Sequence, residues 1–110
     1  MTGTPNQIEL AGQLRLRVAD EFDRVAQAFL EVARRQTDSD RADTELVLAI
    51  LEEERARVMA ENHAGYFIRE WQELAGQVRE RIAKDPRFDG ILARRKSRKV
   101  EQKGIGIDAV

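Results

Sequence analysis

The chain has 110 residues, enough for one small domain and too few for a second independent core. Hydrophobic residues make up 42% and charged ones 35%, with only 2 prolines, which excludes a disordered chain and a loop-rich fold. The absence of cysteine removes disulfide scaffolds, thiol nucleophiles and cysteine-ligated metals, and a net charge of −1 names no partner by itself.

The first start signal is Thr4-Pro5-Asn6-Gln7. Thr4 can cap a helix, Pro5 suits the first helical position, and Gln7 stands where a capping box needs Glu or Gln. Ile8, Ala11, Leu14, Val18, Phe22, Val25, Phe29 and Val32 then follow in steps of three and four, one face of an α-helix. This predicts a helix over about 5–36.

Thr37-Asp38-Ser39-Asp40 is a turn, with Ser39 or Asp40 as the cap of the next helix. No proline interrupts residues 41–84, and good helix formers dominate them, so a single helix over about 41–84 is expected. A chain organised this way has a helical hairpin over 1–86. Its second helix overhangs the first by roughly 18 Å, at about 1.5 Å per residue. The overhang carries Trp71, Leu74, Val78 and Ile82, while Tyr66, Phe67 and Ile68 point about 100° apart. One partner helix cannot cover all of them.

Asp85-Pro86 opens a third element, a short basic helix over 87–103, and residues 104–110 read as a flexible tail. Charge is segregated: residues 1–86 hold 12 basic against 17 acidic side chains, residues 87–103 hold 7 against 2.

The expected fold class is therefore all-α, a long antiparallel hairpin plus a short C-terminal basic helix. Uncovered apolar surface of this kind calls for association, and pairing two hairpins as a homodimer completes a four-helix bundle. The alternative is a three-helix monomer in which the third element folds over the overhang.

Chemistry has little material. Ser39 and Ser97 are the only serines, His63 is the only imidazole, and no phosphate-binding glycine motif occurs, so no enzyme and no cofactor are expected. Glu54 and Glu61 lie seven apart and could point into a bundle. Position 60, however, is Ala, so the Glu-x-x-His motif of carboxylate metal sites fails; such a site between protomers is a distant third reading.

The leading expectation is a non-catalytic interaction or adaptor module that self-associates and binds another protein through Tyr66, Phe67, Ile68, Trp71 and Leu74. The second is nucleic-acid or other polyanion binding through Arg94, Arg95, Lys96, Arg98 and Lys99, which could grip phosphates but read bases poorly. No run approaches the roughly 18 apolar residues of a membrane span, and no secretory signal is visible, so a cytoplasmic location is expected.

Overall fold

The fold was taken from a computed structural model, which describes the backbone of residues 1–108 and the side chains of residues 1–99. The described residues form five helices: α1 (Pro5–Arg34), α2 (Asp38–Met59), α3 (Ala64–Glu70), α4 (Gln77–Ala83) and α5 (Pro86–Asp108). No strand forms among them; Thr2 and His63 make one isolated bridge. The expected tail, 104–110, has side chains outside the described residues, as has all of residues 109 and 110.

Helix α1 starts as its sequence dictates. The Thr4 hydroxyl accepts from the Gln7 N–H at 3.3 Å, the Gln7 side chain accepts from the Thr4 N–H at 3.0 Å, and Pro5 occupies the first turn. Helix α2 is capped by Thr37, not by Ser39 or Asp40. The Thr37 side chain accepts from the Asp40 N–H, and Asp38 and Asp40 lie in the first turn against the helix dipole.

The single helix expected over 41–84 does not form. Helix α2 ends at Met59, and the chain folds back as α3, α4 and α5, a broken third arm. Helix α3 lies against α1, α4 against α1 and α2, and α5 against α2 and α4. The backbone groups freed at the first break pair with the N-terminal segment: the Thr2 N–H donates to the Asn62 carbonyl and the Ala64 N–H to the Thr2 carbonyl, each at 2.8 Å. Gly3 (φ 143°) stands so close to Ala64 that a Cβ on it would lie 3.0 Å from the alanine Cβ. Only glycine suits that backbone and that approach.

The second break, between α3 and α4, contains Leu74 at φ 56° and Gly76 at φ 81°. A left-handed leucine costs on the order of 1–2 kcal/mol. The Gln77 side chain holds the turn, accepting from the Leu74 N–H and donating to the Glu70 carbonyl. At the third break Asp85 acts as expected, accepting from the Arg87 N–H at 2.9 Å just before Pro86. Hydrogen bonds from Arg87 hold the Asp85 carboxyl down at about 2.

Burial explains why the chain spends three breaks. Folding back sets Phe67, Trp71, Val78, Ile82 and Ile91 into one core with Val18, Phe22 and Val25 of α1 and Ile50, Leu51 and Val58 of α2. Each large side chain so buried contributes roughly 1.5–3 kcal/mol, more than a helical turn or two can cost.

Trp71 is the centre of that core, 1% exposed. Its ring sits 5.9 Å from that of Phe22, and its indole N–H donates to the Tyr66 hydroxyl at 3.3 Å. The Arg81 guanidinium lies over the indole ring at 4.6 Å. The overhang argument for a homodimer is therefore corrected: the chain covers these residues itself, by folding α3 and α4 back onto α1 and α2, with Ile91 of the basic helix added to the same core.

Candidate functional site

Of the five residues expected to form an open interaction surface, Phe67 and Trp71 are buried, and Tyr66, Ile68 and Leu74 are only partly exposed. Phe67, Trp71, Tyr66 and Leu74 belong to the chain's own core cluster. The uncovered apolar surface lies elsewhere.

The basic run is brought together by α5 and set along the start of α2. Asp43, buried on α2, accepts from Arg94 Nε and Nη2 at 3.2 and 3.0 Å and from Arg98 Nη2. Arg98 also donates to Asp40 at 2.9 Å. Burial pushes the Asp43 carboxyl up, but the two arginines outweigh it and leave it below the usual aspartate range. Arg95 donates to the Thr44 hydroxyl at 3.2 Å, and that hydroxyl donates to Gln36 at 2.6 Å. Lys96 and Lys99 are exposed and make no ion pair among the described residues. Three of the five expected phosphate-gripping residues thus fasten α5 to α2.

Glu54 and Glu61 are separated by the end of α2, and Glu54 is paired with Arg57 and Arg81. His63 shares a hydrogen bond with the Thr2 hydroxyl through Nδ1 at 2.5 Å. Among the described residues no group of three or more His, Asp or Glu side chains is placed to hold a metal ion. No described helix is long and apolar enough to cross a membrane.

Among the described residues two apolar faces stay open, one toward each end of α1. The first surrounds Leu16, 69% exposed, on the side of α1 away from the core stripe. Gly12, Leu16 and Ala19 follow one another at helical spacing, and Met1 and Met59 continue the surface into a shallow groove of about 560 Å³, bordered by Glu9, Gln13 and Arg15. Arg15 is fixed there by donating to the Met59 carbonyl at 2.6 Å. Nothing lies within 4 Å of where a Gly12 Cβ would stand, so nothing within the chain requires a glycine.

The second face exists because α5 packs along α2 and α4 and, among the described residues, its backbone does not approach α1 closely. A groove of about 330 Å³ opens between them, walled by Phe29 of α1 and by Phe88 and Leu92 of α5, with Val47 and Ile82 beneath. Val32, three residues beyond Phe29 at the end of the α1 stripe, is 49% exposed. Arg79 and Arg95 line this groove, with the Arg79 guanidinium over the Phe29 ring at 5.0 Å.

Leu16 and Gly12 escape a reading of the α1 stripe because they lie off it. A signal was nonetheless present: Gly12, Leu16 and Ala19 sit at helical spacing off the main stripe, bordered by Glu9, Gln13 and Arg15. Arg79 carries no such signal, since only the fold places it beside Phe29.

Compared with known proteins, the chain matches no family model, no curated protein and no solved structure.

Proposed function

We propose that the protein is a non-catalytic helical interaction module that pairs with a second copy of itself through α1 and binds another macromolecule at its opposite end. The observation that carries self-association is the apolar face around Leu16, with a glycine at its centre that no internal packing explains. A glycine inside an exposed helix costs about 1 kcal/mol relative to alanine, a cost that a close helix–helix crossing offsets.

An antiparallel, two-fold pairing of α1 on α1 that crosses at Gly12 supplies that use. Leu16 of one copy then drops between Pro5, Ile8, Glu9 and Gly12 of the other, a knob in a four-residue hole. The face is charge-balanced, with Glu9 and Arg15 at its border, so two copies meet without like-charge repulsion. One helix–helix contact is a small interface, and a dissociation constant on the order of 10 μM is expected.

Sedimentation equilibrium tests this reading. The expected result is a monomer–dimer equilibrium that Leu16→Glu abolishes with no change in thermal stability, because Leu16 touches little in the monomer. A chain that stays monomeric at about 100 μM overturns it. Polyanion binding through residues 94–99 is the weaker reading, since phosphates must compete there with Asp40 and Asp43 for Arg94 and Arg98.

A further inference from the structure

We infer that the groove between α1 and α5 is a docking site for an amphipathic partner helix whose apolar stripe is flanked by carboxylates. This rests on the reading of the chain as an interaction module and names the partner chemistry of its second face. The groove's lining is mostly apolar, Leu92 on it is 49% exposed, and Val32, three residues beyond Phe29 on α1, is exposed to the same extent. Solvated apolar side chains beside a mostly apolar lining suit an element that lies along the groove, such as a helix presenting side chains at i, i+3, i+4 and i+7.

Charge selects the flanks. The lining holds two guanidinium groups, Arg79 and Arg95, and no carboxylate, in a protein with more acidic than basic residues. Arg95 gives Nη2 to Thr44 and has its Nε buried, while its Nη1 makes no hydrogen bond among the described residues. Arg79 is held over Phe29, and the carboxylate that feels it, Glu21, is already bonded by Arg24. The nearby acids of α2, Asp40 and Asp43, are paired with Arg98 and Arg94. Both lining arginines therefore retain donors for a carboxylate brought in by a partner, and a helix with basic flanks meets repulsion instead.

The test uses the full chain and two labelled synthetic peptides of about 14 residues, with the same leucine stripe and with either glutamate or lysine flanks. Fluorescence anisotropy is expected to show the glutamate peptide binding at least about tenfold more tightly than the lysine peptide. Leu92→Glu removes that binding, and Arg79→Gln or Arg95→Gln shrinks the preference between peptides. Leu16→Glu leaves binding intact, so loss of self-association and loss of docking are read separately.

The inference is overturned by no binding of either peptide at about 100 μM, by equal binding of the two, or by glutamate-peptide binding that survives Leu92→Glu. Binding of laurate that displaces the glutamate peptide also overturns it, in favour of a small amphipathic acid.

Discussion

Helices α3 and α5 belong to the same broken arm, yet they are fastened in opposite ways. Helix α3 is held by burial: Ala64 and Phe67 lie inside the core, Trp71 follows at its end, and two main-chain hydrogen bonds tie its start to Thr2. Helix α5 enters the core with Ile91 and is then fastened by arginines to Asp40 and Asp43. Apolar docking draws α3 onto α1. Ion pairs aim α5 at α2, beside α4, and a face of α1 is left uncovered.

The largest test of this contrast is Trp71→Ala. The cavity beside Phe22 and the lost burial are expected to cost about 3–5 kcal/mol in denaturant unfolding, enough to threaten the whole fold. A loss well below that would mean that α3 and α4 are not what holds the bundle together.

Asp43→Asn comes next. Removing the charge that Arg94 and Arg98 share is expected to cost about 1–2 kcal/mol, discounted because both arginines are partly solvated. Hydrogen exchange should then quicken in α5 while the amides of α3 and the first half of α1 stay protected. Uniform quickening would show that the two regions unfold as one unit.

Acidification sharpens the same contrast. The folded Asp43 carboxyl lies below its ordinary range, so its stabilisation is present above the unfolded value, near 4, and is lost as pH falls through the folded one. Exchange from α5 measured between about pH 5 and pH 2 should rise before exchange from α3 does. If α3 opens first, burial is not the firmer of the two fastenings.

The smallest effect carries an unusual sign. Gly12→Ala adds a methyl group to open space in a helix, so the monomer should gain about 0.5–1 kcal/mol, read by thermal unfolding at low concentration. Self-association should weaken over the same substitution. A variant that gains in both would refute a crossing at Gly12.

Much of the fold was written in local signals. The Thr4-Pro5-Gln7 start, the α1 stripe from Ala11 to Val25 and the Asp85-Pro86 start all formed where the residue pattern put them. Residues 60–84 misled because no proline interrupts them and Ala, Glu, Arg and Gln, all good helix formers, fill about half of the positions. Neither Gly65 nor Gly76 marks where α2 stops; that point is set by contacts between residues 60 or so apart, Thr2 with Asn62 and Ala64. The basic run was legible as charge but not as a fastening, since its acids lie about 50 positions away.

By itself, then, the amino-acid order determined that the molecule is helical, where its first helix begins and which side chains must leave water, because capping and periodicity act within a few residues. The tertiary structure alone decided that Trp71 is covered from within, that α5 follows α2, and that Leu16 and the Phe29–Leu92 groove stay open. Those outcomes depend on which distant surfaces meet, and burial energies summed over the whole chain outweigh the preference of any one segment for remaining a continuous helix.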